Sequence, residues 1–317
     1  MEPDNLAAPG RETLVLSDGT TAELIGRDGG WILEVDGIRQ SHVTEPGQPP
    51  ALASARWMLA ALGTDRRKVV HLGGGLLTLP RAVAATNPQA QQTVVELDPV
   101  LAALVLERFG IPENVKLEVA DARTWLDARG LVESAQATWD ALVIDVFAGG
   151  RIPPAFTSQE CFASARSLLA DHGVLIINSV AGGDLTFTRR QIATLRAEFE
   201  HVGLIVQNSS LHGLRFGNAI LVGSAAPIDA AGIRGALAGD PSRGALVTDL
   251  DDLVGAAEVV VDADELWSPE PDLPDAGPAL RLLDQARSLG SVFGESPAGE
   301  GAADAEPEHG QGDQGRG

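Results

Sequence analysis

Four short apolar runs follow one another in this chain, and each ends in glycines or an acid. Val69-Val70-His71-Leu72 leads into Gly73-Gly74-Gly75, Val94-Val95 into Glu96-Leu97-Asp98, Val119-Ala120 into Asp121-Ala122, and Ala141-Leu142-Val143-Ile144 into Asp145. Short apolar runs separated by helical periodicity are the mark of parallel strands buried on both faces. In an open sheet of that kind, ligands sit in the crevice outside the carboxyl ends of the strands. Polar residues at successive strand ends therefore converge on one place, and the fold class expected is α/β, a doubly wound and mostly parallel sheet.

The intervening helices read as Leu79–Thr86, Pro99–Phe109, Arg123–Ala128, Ser158–Leu169 and Thr186–Phe199. Asp171-His172-Gly173 reads as the stop of the fourth helix before the strand Val174–Asn178. Leu204–Ser209 and Asn218–Gly223 read as the last strands, and the short gap between them leaves no room for a crossover helix, so they pair antiparallel. Upstream, Thr13–Leu16, Ala22–Ile25 and Trp31–Val35 predict a small antiparallel sheet, with Asp36-Gly37 as a hairpin turn. The Pro- and Gly-rich joint at Pro46–Pro50 separates it from a helix over Ala51–Leu62. The division expected is a β-sheet domain at 1–50, a nucleoside-binding α/β domain at 51–266 and an acidic, largely disordered tail at 267–317, with one helical island near Ala279–Leu289.

The net charge of −21 is concentrated at one end, since residues 249–317 hold 17 acids against three arginines. The rest is an ordinary soluble surface without the basic face that nucleic acid phosphates require. No apolar run approaches the roughly 18 residues of a membrane helix. One cysteine, Cys161, and an N-terminus without a signal-peptide pattern predict a cytoplasmic protein. The six histidines show no metal-ligand spacing, so no metal is expected.

The strand ends carry the chemistry. Three glycines allow a tight turn and close backbone approach to a ligand, and with Thr78 ending the pattern they do not complete a dinucleotide fingerprint. Glu96 lies about 20 residues after the turn, where an acid accepts both ribose hydroxyls. Asp121 is placed for an adenine amino group, with Ala122 leaving room for the ring, although both acids also precede helices and can serve as N-caps. Asp145 faces the reacting end as a candidate proton acceptor. Arg151 reads either as a substrate contact or as a solvated charge.

Over about residues 30–225 the chain resembles the spermidine synthases, or polyamine aminopropyltransferases. The likeness is carried by Leu33–Gln40, Gly73-Gly74-Gly75, Val95–Pro99, Asp121-Ala122-Arg123, Asp140–Asp145 and Pro154–Phe162. The resemblance implies a methyltransferase-like domain that binds decarboxylated S-adenosylmethionine, or S-adenosylmethionine itself, as co-substrate. It implies nucleoside contacts from Gln40, Gly73, Gly74, Gly75, Glu96, Asp121 and Ala122, a proton acceptor in Asp145, an amine as small-molecule acceptor and a homodimer. Where the family carries amine-gripping acids, this chain has Leu76 and Ala148, and it has no tyrosine. Three functions therefore stay open: aminopropyl transfer with an altered acceptor pocket, S-adenosylmethionine-dependent methyl transfer, and nucleoside binding without turnover.

Overall fold

The four glycine- or acid-ended runs become neighbours in one sheet. The computed structural model describes residues 10–27, 29–133 and 138–271. Its strands are β1 (Arg11–Val15), β2 (Thr21–Arg27), β3 (Gly30–Val35), β4 (Ile38–Thr44), β5 (Lys68–Leu72), β6 (Gln91–Glu96), β7 (Val115–Val119), β8 (Trp139–Ile144), β9 (Leu169–Ala181), β10 (His201–Gln207), β11 (Gly217–Ser224) and β12 (Gly244–Val247). The helices are α1 (Ala53–Leu62), α2 (Thr78–Thr86), α3 (Pro99–Phe109), α4 (Ala122–Glu133), α5 (Gln159–Leu168), α6 (Thr186–Glu198), α7 (Asn208–Leu211), α8 (Ala230–Leu237) and α9 (Asp251–Val254).

β1 to β4 form a meander in that order, and the other eight strands form a second sheet in the order β12-β10-β11-β9-β8-β5-β6-β7. The pairs β9/β8, β8/β5, β5/β6 and β6/β7 are parallel, whereas β11, β10 and β12 join antiparallel beyond β9. The chain runs from β5 out to β6 and β7, then returns across β5 to β8. That reversal is the topological switch point at which open α/β sheets bind ligands.

Period-two alternation divides the strands between two faces. Val70, Leu72, Leu142, Ile144, Leu175 and Ile177 pack into one cluster with Leu126 of α4 and Phe162 of α5. Val69, Ala141, Val143, Val174 and Ile176 pack on the other face with Trp57 and Met58 of α1 and Leu79 of α2. A third cluster joins Ala22, Leu24, Trp31 and Leu33 of the meander to Leu76, Leu77, Leu101 and Val105. Asp98 reinforces that junction. It caps α3 through the Leu101 N–H at 2.8 Å and accepts from the Ser17 N–H at 2.6 Å and hydroxyl at 2.5 Å. Burial pushes the Asp98 carboxyl up, but those hydrogen bonds favour the ionised form and hold it below the usual carboxylate value.

Several expected elements differ. Asp36-Gly37 does form a two-residue hairpin, with both residues at positive φ, and it leads into a fourth meander strand, β4, that the residue pattern had not marked. α5 stops at Leu168, and Asp171-His172-Gly173 lies inside β9 instead of ending the helix. Leu169 is buried against Trp139, and the pairing shifts register between Trp139 and Ala141, so the polar triplet is accommodated as a bulge. Beyond residue 224 the chain adds β12, an edge strand whose Gly244 lies against the Trp57 ring. Trp267 and Ser268, where composition would begin the tail, pack on the body: Ser268 is fully buried and exchanges two hydrogen bonds with Ile152. The expected helical island and the remaining acidic segment lie outside the described residues.

Candidate active site at the strand ends

Ladder hydrogen bonds continue past the strands and bring the candidate residues into register. Gly73 N–H donates to Val95 C=O at 2.9 Å, Ala120 N–H to Glu96 C=O at 2.9 Å, and Asp145 N–H to Leu72 C=O at 2.8 Å. The carboxyl ends of β5, β6, β7 and β8 thus share one edge, with the glycine turn at its centre.

Each glycine of the turn lies close against atoms of the protein itself. Gly73 has φ +92°, and a Cβ there would overlap the Asp145 carbonyl. A Cβ at Gly74 would lie 3.1 Å from Glu96 Oε2, and one at Gly75 3.3 Å from Ser41 Oγ. The close approach inferred from sequence is therefore first of all an approach to neighbouring strands. Leu77, also left-handed at φ +58°, donates its N–H to Gly74 C=O and turns the chain into α2.

Glu96 is 8% exposed and spans the turn. Oε2 accepts the Gly74 and Gly75 N–H groups at 2.9 and 3.0 Å, and Oε1 accepts the Asp98 N–H at 2.9 Å. An ionised carboxylate offers about four lone-pair sites, so three bonds leave acceptor capacity for a ligand hydroxyl. Next to it, Leu97 is 64% exposed at the strand end. Such an apolar side chain beside a ribose-type acid is suited to lie against a base ring. An apolar residue immediately after the acid, outside the strand, is a signal legible in the sequence.

Asp121 is exposed and caps α4, its Oδ1 accepting the Thr124 N–H at 2.7 Å, while Ala122 is buried in the core beneath that helix. Gln40 lies on β4, and its carboxamide makes no hydrogen bond to another candidate among the described residues. Its neighbour Ser41 does reach the turn, accepting the Leu76 N–H at 3.2 Å and pairing with Thr78 Oγ1 at 2.9 Å. Ser41 escaped the sequence reading because a serine on a half-buried strand carries no distinguishing pattern.

Asp145 follows β8 and is partly buried. Its Oδ1 accepts from Asn178 Nδ2 at 2.8 Å, and Asn178 Oδ1 accepts from Asn218 Nδ2 at 3.0 Å. Burial pushes the Asp145 carboxyl up from its ordinary value, with the Asn178 bond opposing. Gly149 and Gly150, both at positive φ, close a tight hairpin between Ala148 and Arg151. Arg151 is engaged within the protein: Nε donates to Ser268 C=O at 2.7 Å and the guanidinium stacks over Trp267. Leu76 is fully buried against the meander, whereas Ala148 is exposed on the hairpin. Burial pushes the Cys161 thiol up to about 12, which leaves it a packing residue.

No cluster of His, Cys, Asp or Glu among the described residues could hold a metal ion, and no helix among them is long and apolar enough to cross a membrane. A cleft of about 570 Å³ lined by Lys68, Gln91, Asn114 and Lys116 lies at the opposite edge of the sheet and contains none of the site residues. The site is thus identified by its convergent groups.

No protein-family model matches the chain. It is 28% identical over 137 residues to a polyamine aminopropyltransferase of Vibrio vulnificus, covering 43% of this chain and 44% of the relative. It is 33% identical over 129 residues to an N-terminal histidine N-methyltransferase of Emericella nidulans, covering 40% and 22%. The chain thus spans less than half the length of these curated relatives. In structure it is similar to a probable spermidine synthase from Corynebacterium glutamicum, with a TM-score of 0.72 and 29% identity over 80% of this chain and 97% of the other. A spermidine synthase from Thermotoga maritima, 14% identical with a TM-score of 0.52, shares the fold. In sequence and structure the chain is thus similar to polyamine aminopropyltransferases and a probable spermidine synthase.

Proposed function

We propose that the chain is a transferase that binds an S-adenosyl compound at the strand ends and passes a group from it to an amine acceptor. The observation that carries this reading is the alignment of Glu96, the glycine turn, exposed Leu97, Asp121 and Asp145 along one edge at the switch point. Glu96 has acceptor capacity for ribose hydroxyls, Leu97 an apolar surface for a base, and Asp121 a carboxylate at the next strand end. Gln40, Gly73, Gly74, Gly75 and Ala122 complete the proposed nucleoside site. The co-substrate supplies an electrophilic carbon beside a sulfonium.

Asp145 is the proposed proton acceptor. An alkylammonium with a pKa near that of lysine, about 10.4, must lose a proton before its lone pair can attack. Asp145 takes that proton, the neutral amine nitrogen then bonds to the carbon beside the sulfur, and the C–S bond breaks with its electron pair going to sulfur, leaving a neutral thioether and a substituted ammonium. A carboxyl raised by burial is a better proton acceptor than an ordinary one.

Aminopropyl transfer from decarboxylated S-adenosylmethionine is the first form of this reading, given the aminopropyltransferase and spermidine synthase relatives. Methyl transfer is the second. It is favoured by the methyltransferase relative and by the two missing acids, because Leu76 faces the core and exposed Ala148 offers no charge to a dication. Thermal shift with methylthioadenosine, S-adenosylmethionine and the decarboxylated form tests binding. A ligand at 100 times its dissociation constant adds about 2.7 kcal/mol, and the absence of any shift would overturn the nucleoside site. Incubation with decarboxylated S-adenosylmethionine and putrescine, or with S-adenosylmethionine and peptide amines, separates the two reactions by their products.

A further inference from the structure

We infer that Asn178 and Asn218 form a positioning relay that sets the orientation of the Asp145 carboxylate and leaves its second oxygen for the acceptor amine. The inference rests on the reading of Asp145 as proton acceptor and adds two residues from strands outside the parallel nucleoside edge. Three strands contribute. β5 fixes the Asp145 backbone through Leu72 C=O, and the missing Cβ of Gly73 admits the Asp145 carbonyl. β9 fixes the side chain through Asn178 Nδ2 at 2.8 Å, and β11 fixes Asn178 through Asn218 Nδ2 at 3.0 Å.

The direction of this chain follows from donor counting. An ionised carboxylate only accepts, so Asn178 must turn its NH2 toward Asp145 and present its carbonyl to Asn218. Asn218 can satisfy that carbonyl only with its own NH2. The flip of each amide is thereby dictated by the charge of Asp145, and reversing the relay would leave the carboxylate facing a carbonyl oxygen. Asn178 is 6% exposed, so solvent does not substitute freely for its amide, whereas Asn218 is exposed at the far end. Among the described residues, Asn178 is the only side chain that hydrogen-bonds the Asp145 carboxyl, so Oδ2 retains its lone pairs for an incoming proton. The polar side chain that closes the apolar run Val174–Ile177 within β9 is explained by this role.

The test reads the carboxyl directly and needs no turnover. Carboxyl carbon NMR of the full chain, with Asp145→Asn assigning the resonance, gives the Asp145 titration. Asn178→Leu removes a hydrogen bond to a charged group and should move that titration upward by about one pH unit or more. Asn218→Ala, at an exposed position, should move it upward by less. The double variant should match Asn178→Leu alone, because Asn218 acts only through Asn178. An unchanged titration in both single variants, or additive shifts in the double variant, would overturn the relay. If the shifts appear but no nucleoside binds and no amine is modified, the relay stands and the transferase reading falls. If transfer is observed, the acidic limb of its pH profile should move with the NMR titration, and a fixed limb would remove the positioning role.

Discussion

One buried histidine makes a separable contribution to the loss of stability on acidification. His71, 2% exposed in β5, pairs through Nε2 with Gln92 Oε1 at 2.9 Å, and its Nδ1 has no hydrogen-bond partner among the described residues. Because Gln92 Oε1 is an acceptor, the proton sits on Nε2. A second proton on Nδ1 would bury both a charge and an unmatched donor. Burial accordingly pushes the His71 pKa down from 6.5 to about 4, with the Gln92 bond acting weakly in the opposite sense. The folded pKa lies below the unfolded one, so the unfolded chain takes up the proton first. The associated stability is complete above pH 6.5 and is lost as the pH falls toward 4. At 1.36 kcal/mol per pH unit the full interval is worth about 3 kcal/mol, most of which is gone by pH 4.5. Urea unfolding of the wild-type chain and of His71→Leu at pH 7 and pH 4.5 isolates this contribution. The pH-independent cost of the substitution cancels, so the stability difference between the two proteins should change by roughly 2–3 kcal/mol between those pH values. Parallel pH dependences would refute the argument. The consequence reaches the site, because Gln92 Nε2 also donates to Pro80 C=O in the first turn of α2, directly after the glycine turn.

Three further outcomes follow from named contacts. Gly73→Ala should destabilise by about 2 kcal/mol or more, since its φ and its contact with the Asp145 carbonyl both exclude a Cβ; a melting temperature equal to wild type would refute this. Asp98→Ala should cost about 2–4 kcal/mol by removing the α3 cap and both Ser17 bonds, and Ser17→Ala should recover only part of that loss in denaturant titrations. Asp145→Asn should abolish amine transfer while leaving methylthioadenosine affinity within about a factor of three, below the 1.4 kcal/mol that marks tenfold, and retained transfer would exclude a proton-acceptor role.

The amino-acid order alone determined the parallel α/β core, because alternating apolar strands and amphipathic helices are local patterns with their own periods. It also determined the antiparallel pairing of β10 and β11, from the short gap between them, and the hairpin at Asp36-Gly37, from the turn those residues adopt. It placed Glu96, Asp121 and Asp145 at strand ends for the same reason. What those groups do together depended on contacts across sequence separations that no local pattern records. Only the tertiary structure showed that Glu96 ties down Gly74 and Gly75, that Ser41 enters the turn from a different sheet, and that Leu76 faces the meander core. The Asn178 relay joins residues 33 and 40 positions apart, and the segment around Ser268 returns more than a hundred residues to hold Ile152. The strand-end series is thus a property of periodicity, whereas the orientation of Asp145 within it is a property of packing, decided by which strands the sheet order makes neighbours.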